Sequence, residues 1–299
     1  MRFPRGRSPT FVTAIAVDRP GEGRPMTTTR TLDVPGARLR YEVRGSGPLL
    51  LVMGSPMDAE AFGPLADALA SDHTVVTHDP RGISGSTLDD PGQDSTPELR
   101  ADDVAVLLDA LDADCADVLG SSGGAVTGLA LVARHPGRVR TLVAHEPPLL
   151  ELLPDAAEQR AATEEIIATF HREGVGAAWT KFMANAGFDV DGGEEAAPTP
   201  PPGEPSEPSE QDLANSARFF AHELRGTTRY VPDIAALTAG STRVVVGIGA
   251  TSGGLITVGT SRALAERIGT APVEFPGDHG GFVEQPKEFA ERLREVLRG

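Results

Sequence analysis

Gly120-Ser121-Ser122-Gly123-Gly124 satisfies the pattern G-x-S-x-G, with Ser122 at its centre. A small apolar run ends at Gly120, and a helix-forming run, Ala125 to Arg134, begins just after Gly124. A strand before and a helix after form the setting in which such a serine sits on a strained turn with its hydroxyl presented to a pocket. The flanking glycines relieve steric clashes there, and the helix N-terminus offers N–H groups to a developing negative charge. A serine hydroxyl is a weak nucleophile near neutral pH and needs a base within hydrogen-bond reach. Among the seven histidines, His279 is the best placed, in Gly277-Asp278-His279-Gly280-Gly281 between the last expected strand and the last expected helix. His78 and His145 close other strands and are candidates for shaping the same pocket, whereas His73, His135, His171 and His222 read as surface residues.

These residues need a scaffold that gathers loops at one edge, and the chain alternates accordingly. Arg30 to Arg44 reads as a hairpin turning at Pro35-Gly36, and Leu49 to Met53 as a strand buried on both faces. Helical spacing over Ala59 to Ala70, a strand at Thr74 to Thr77 and a helix opening at Thr96-Pro97-Glu98 follow. After the serine motif come strands at Val139 to Ala144, Arg243 to Gly249 and Pro272 to Phe275, with helices at Ser261 to Ile268 and Pro286 to Leu297. Strands alternating with helices imply a mostly parallel sheet covered on both faces. Carboxyl-end loops of such a sheet meet at one edge, so the His279 loop can face Ser122.

Between the two alternating parts, residues 151–240 break the rhythm and read as an inserted helical cap. Within it, a stretch at about 191–210 rich in proline and glutamate has too little apolar surface to order itself and is expected to be a disordered loop. Residues 1–29 are expected to be a disordered N-terminal extension, with Met26 as a candidate for the natural start, and residues 30–150 and 241–299 to form the core. A net charge of −16 argues against nucleic-acid or anionic-membrane partners. No apolar run approaches the roughly 20 residues of a membrane span. The single cysteine, Cys115, excludes an internal disulfide and suits a reducing, cytoplasmic setting.

Ser122 in its turn, His279 before the last helix, Gly54-Ser55-Pro56 after an early strand and the run Asp79 to Ser86 together resemble the α/β-hydrolase fold family. The resemblance implies a mostly parallel central sheet flanked by helices, with residues 151–240 in the family's cap position. It also implies an oxyanion hole made by the backbone N–H groups of Gly123 and Ser55. Members often carry His-Gly where this chain has Met53-Gly54, a change expected to alter the pocket floor and not the donor. Many members place an aspartate after the strand that corresponds to Arg243–Gly249. Here Ala250 to Ile256 holds no carboxylate. Glu146, which closes the strand after the Ser122 helix and lies 24 residues beyond Ser122, is the expected acid. Its setting, Ala144-His145-Glu146-Pro147-Pro148, is similar to that in zearalenone-type lactone hydrolases. Asp278 is the rival, ranked lower because neighbouring residues rarely present side chains to one another for an orienting hydrogen bond.

The resemblance thus implies a serine hydrolase of carboxylic esters or lactones with the triad Ser122, His279 and Glu146, needing no cofactor and no metal. A serine at this position excludes the covalent-carboxylate chemistry that the fold supports with aspartate. Trp179, Phe182, Phe219 and Phe220 are the expected substrate-binding aromatics of the cap, for a moderately large apolar ester or lactone, with ordinary packing of the cap as the competing role. A homodimer is left open. The alternatives are a C–C bond hydrolase or cofactor-free haloperoxidase-like enzyme using the same residues, and a non-catalytic receptor on this fold.

Overall fold

The computed structural model describes residues 12–17, 26–188 and 208–299. Long apolar runs become the central strands: β4 (Leu49–Met53), β5 (Thr74–His78), β7 (Ala116–Ser121), β8 (Val139–His145), β9 (Arg243–Gly249) and β10 (Val273–Phe275). These pair in parallel in the order β5-β4-β7-β8-β9-β10. Every residue of β7 is buried, as expected of a strand covered on both faces. The antiparallel flank comprises β1 (Val12–Val17), β2 (Thr27–Val34) and β3 (Ala37–Arg44), with β3 joined to β5 and to the short β6 (Thr87–Leu88). The hairpin turn at Pro35-Gly36 lies where the sequence puts it, with Gly36 at φ 76°.

Two apolar layers hold the sheet. On one side α2 (Pro97–Ala110) and α3 (Gly123–Arg134) pack through Val104, Leu107, Leu108, Val126, Leu129 and Ala130. On the other, α1 (Gly63–Leu69), α10 (Gly281–Glu284) and α11 (Pro286–Arg298) pack through Leu65, Leu69, Phe282, Phe289 and Leu293. Helix α2 starts where the sequence signals it: Thr96 Oγ1 accepts from the Leu99 N–H and Pro97 occupies the first turn. Helix α9 (Ile256–Arg267) begins five residues before the expected Ser261.

Between β8 and β9 the chain inserts α4 (Ala156–Glu173), α5 (Val175–Ala186), α6 (Glu210–His222), α7 (Leu224–Thr228) and α8 (Ile234–Ala239). The first four share a separate apolar centre around Ile166, Ile167, Ala178, Phe219, Phe220 and Leu224. Leu237 of α8 instead joins the main core, as do Tyr230 and Ile234 beside it, so the end of the 151–240 stretch packs as part of the sheet's helical cover. Helix α6 lies over the loops after β5. Asn215 bonds with Ser84, and Arg218 donates to Pro91 O at 2.7 Å and to Ser95 Oγ at 2.8 Å.

Two boundaries need correction. Residues 12–17 and 27–29, expected to be disordered, are strand: β1 adds to β2 by backbone pairing, which needs an open edge more than an apolar sequence. Residues 1–11 and 18–25 lie outside the described residues. Most of the expected 191–210 loop lies outside them too. Its end does not behave as a loop, because Ser209 and Asp212 form a reciprocal capping box that starts α6.

Candidate functional site

The six parallel strands end on one edge, and the residues singled out above stand on the loops that leave it. Ser122 follows β7 directly with φ 53° and ψ −123°, outside the regions a non-glycine residue normally occupies. Its own N–H donates to His145 O at 2.9 Å, which pins the turn to the next strand. The turn requires its glycines. A Cβ at Gly124 would lie 2.2 Å from Met53 O, and one at Gly120 would lie 2.5 Å from Gly124 O. Ser122 is half-buried, so its hydroxyl can be reached.

Glu146 is the first residue after β8 and also has positive φ, 48°. Its backbone N–H donates to Gly247 O of β9 at 3.0 Å, and this turns the side chain under the edge. There it is fully buried and accepts four hydrogen bonds. His279 Nδ1 lies 2.6 Å from Oε2, and Thr257 Oγ1 donates to the same oxygen at 2.7 Å. The Gly249 N–H donates to Oε1 at 2.8 Å, and the Ser252 hydroxyl donates to Oε1 as well. Burial alone would push this carboxyl group up. The His279 hydrogen bond, the nearby His279 and His145 rings and the Ser252 hydroxyl outweigh it and hold the group at about 2. Glu146 is therefore ionised at neutral pH. Its bond to Nδ1 assigns the proton to that nitrogen and leaves Nε2 free to accept.

Asp278 is engaged otherwise: its Oδ1 accepts the Gly280 N–H at 2.7 Å, closing the loop that carries His279. Among the described residues no hydrogen bond joins the Ser122 hydroxyl to the His279 ring. Such pairings are often long in unliganded enzymes and tighten around substrate.

Ser55 and Gly123 face each other, since a Cβ on Gly123 would come within 2.7 Å of Ser55 O. Two of the loops expected to supply N–H groups to an oxyanion are thus in contact beside Ser122. Met53 does not form an exposed floor: it is buried, with its methyl group near Gly128 of α3. The four cap aromatics do come together. Trp179 stacks on Phe219 with ring centroids 5.6 Å apart, and Phe182 meets Phe219 edge-on at 5.5 Å. Phe220 is fully buried in the same cluster, so its ring serves the cap's interior.

Several site residues escaped the sequence reading. Ser252 holds Glu146 from the loop after β9 that lacks a carboxylate, and Thr257 holds it from the first turn of α9. The signal for Ser252 was its position, three residues past that strand's end. Phe188 lies edge-on to His279 at 6.4 Å, just after the cap helix α5. His145 is buried behind the pair. Its Nδ1 is 3.2 Å from Ser121 Oγ, its ring lies 6.3 Å from that of His279, and Phe275 and Phe289 flank it. Burial, only partly countered by Glu146 and reinforced by His279, lowers His145 to about 4, so it stays neutral. Among the described residues no group of three or more His, Cys, Asp or Glu could hold a metal ion, and no helix is long and apolar enough to cross a membrane.

Known proteins share this plan. A family model described as alpha/beta hydrolase fold matches residues 47–196, half of the 299-residue chain. An uncharacterised hydrolase of Bacillus subtilis, YraK, is 38% identical over 273 residues, spanning 89% of this chain and 95% of its own. A zearalenone hydrolase of Bionectria ochroleuca is 32% identical over 177 residues, 57% of this chain and 62% of its own. The solved structure of a thermophilic esterase from Thermogutta terrifontis superposes with a TM-score of 0.67, 22% identity and coverage of 88% of this chain and 93% of that one. With sheet order, serine turn and sequence likeness agreeing over most of its length, the chain is a hydrolase of the α/β-hydrolase fold family.

Proposed function

We propose that the chain hydrolyses a carboxylic ester or lactone through an acyl-enzyme on Ser122. The observation that carries this reading is the 2.6 Å contact of His279 Nδ1 with a buried, ionised Glu146 on the same sheet edge as the strained Ser122 turn. Ser122 Oγ attacks the carbonyl carbon while His279 Nε2 takes its proton. The carbonyl electrons move to the oxygen, which accepts from the Gly123 and Ser55 N–H groups. His279 then protonates the leaving alkoxide, and water, deprotonated by His279, releases the acid from the serine. Glu146 keeps the imidazole in the useful tautomer and stabilises its charged form.

The ester or lactone class rests on the serine nucleophile and on the 32% identity to a zearalenone hydrolase. Helices α4 to α7 act as a cap over the site, with Trp179, Phe182 and Phe219 at the substrate's apolar side, Met53 and Phe220 supporting the walls from within, and no cofactor or metal taking part. The substrate is a small-molecule apolar ester or lactone of moderately large size met in the cytoplasm.

A fluorophosphonate probe tests the nucleophile directly. Intact protein is expected to gain a single phosphonyl group, located at Ser122 by peptide mass spectrometry. Ser122→Ala is expected to take up none and to lose turnover of p-nitrophenyl esters and macrolactones by several powers of ten. Labelling at Ser121, or turnover that survives Ser122→Ala, would overturn the assignment.

A further inference from the structure

A second buried carboxyl group lies on the far side of Ser55. Glu223 joins α6 to α7 in the inserted helices and is fully buried, with Oε1 lacking a partner among the described residues. Its Oε2 accepts from Ser55 Oγ at 2.7 Å and from Arg100 Nη1 at 3.4 Å. Arg100 is buried as well, and each of its three guanidinium nitrogens has a further partner. Nε reaches Thr127 Oγ1 at 3.0 Å, Nη1 reaches Ser95 O at 2.9 Å, and Nη2 reaches Thr227 Oγ1 at 2.9 Å. Thr127 Oγ1 in turn donates to Gly123 O at 3.1 Å. One chain of hydrogen bonds therefore runs Gly123, Thr127, Arg100, Glu223, Ser55. It begins and ends on the two residues whose N–H groups face the oxyanion in the reading above.

Burying a carboxyl group with one oxygen unpaired is unfavourable and needs a reason. Docking of the helices alone gives a weak one, since α6 is already tied to the core through Asn215 and Arg218. The bond to Ser55 is different, because it acts on a residue beside the reacting centre.

We propose that Glu223 is a positioning residue: by holding the Ser55 hydroxyl it fixes the peptide whose N–H receives the oxyanion, and it makes that geometry depend on the seating of the inserted helices. The inference rests on Ser122 being the nucleophile. Oxyanion donors act only when preorganised toward the charge that develops in the transition state. Loosening one should therefore lower kcat and leave KM nearly unchanged. Failed docking of the helices would instead raise KM and lower the melting temperature.

The test compares wild type, Ser55→Ala, Glu223→Ala, Glu223→Gln and the double variant Ser55→Ala/Glu223→Ala. The readouts are the fluorophosphonate labelling rate, kcat and KM on a p-nitrophenyl ester, and melting curves. A lost oxyanion donor costs about 10²–10³ in kcat, so a donor kept but loosened should cost about tenfold. Ser55→Ala and Glu223→Ala are each expected to lose about that much kcat and labelling rate with KM within about twofold, and the double variant no more than Glu223→Ala, as for residues acting as one unit. Glu223→Gln keeps an acceptor oxygen and should recover most of the rate. Glu223→Ala leaves Arg100 buried without its carboxylate, so if it misfolds, Ser55→Ala and Glu223→Gln decide. Wild-type kcat in Ser55→Ala, multiplying losses in the double variant, or losses confined to KM overturn the proposal. If wild type labels at Ser122 and Ser55→Ala labels as fast, only the positioning role falls. If wild type takes no label at all, the nucleophile falls and this proposal with it.

Discussion

Two residues of the site, Ser122 and Glu146, hold positive φ angles of 53° and 48° without being glycine. Each such conformation costs about 1–3 kcal/mol and persists only where its surroundings impose it. In both cases the backbone N–H is bonded across to the next strand, Ser122 to His145 O and Glu146 to Gly247 O. The strain at Glu146 bears on which carboxylate serves His279. Glu146 reaches Nδ1, whereas Asp278 caps Gly280 in the loop. Glu146→Gln is expected to lower kcat by about 10³–10⁴, because the amide neither stabilises the imidazolium nor enforces its tautomer. KM should move little, since the carboxyl group lies behind the ring. Asp278→Asn should cost only a few-fold through loop geometry. Steady-state kinetics of the two variants side by side, with melting curves, decide between them. A silent Glu146→Gln beside a crippled Asp278→Asn would reverse the assignment.

At the scale of elements, the β9–α9 loop takes a role that its sequence only half discloses. Apolar runs made β4, β7, β8 and β9 readable, and glycine packing made the serine turn readable, because both are local requirements. The missing carboxylate in Ala250 to Ile256 was readable too, and it directed attention to Glu146. What this region does instead depends on contacts more than 100 residues apart: the Gly249 N–H at the end of β9, the Ser252 hydroxyl in the loop and the Thr257 hydroxyl in α9 all donate to Glu146. The bond of Glu223 to Ser55, across 168 residues, has no local signal at all. Nor does β1, which forms by pairing on an open edge. The Ser252 contact yields a prediction. An aspartate at 252 would stand beside the Glu146 carboxyl group, within reach of the same region of the site. In Glu146→Gln/Ser252→Asp the new carboxylate meets a neutral amide, and about tenfold of the lost kcat should return, because the imidazole needs a carboxylate near Nδ1 and not a particular strand. Ser252→Asp alone puts two carboxylates in contact, where they cannot both ionise readily, and should lower stability and activity. Equal kcat for the single Glu146→Gln and the double variant would show that the loop cannot substitute.

For the molecule as a whole, the same edge that gathers the loops also buries titratable groups, and this sets how the fold responds to acid. His78 closes β5 and His145 closes β8, and each has a ring nitrogen buried without a partner among the described residues. Burial lowers both to about 4, aided at His78 by the charge of Arg100, from an ordinary value of 6.5. The unfolded chain therefore takes up protons at both sites between about pH 6.5 and 4 while the folded chain refuses them. Stability rises with pH wherever the unfolded state binds more protons. So the fold should lose stability on going down through that window, and the loss should level off near pH 4, where the folded rings protonate too. One pKa unit corresponds to about 1.4 kcal/mol, so a drop from 6.5 to about 4 is worth roughly 3 kcal/mol at each ring. Glu146 acts in a different window. Its folded value of about 2 lies below the ordinary 4.5, so the stability it adds is complete above about pH 4.5 and is lost only as the pH falls toward 2. Urea midpoints measured at steps from pH 7.5 to 3 separate the contributions. Wild type is expected to fall steadily from about pH 6.5. His78→Gln and His145→Gln should each flatten that slope whatever they do to the midpoint at pH 7.5. Glu146→Gln should not flatten it between pH 6.5 and 4.5, because losing the carboxylate that partly counters burial can only lower the His145 ring further. A wild-type midpoint that stays level down to pH 4.5 would mean that the two rings accept protons in the folded state, through local opening of the strand ends that bury them.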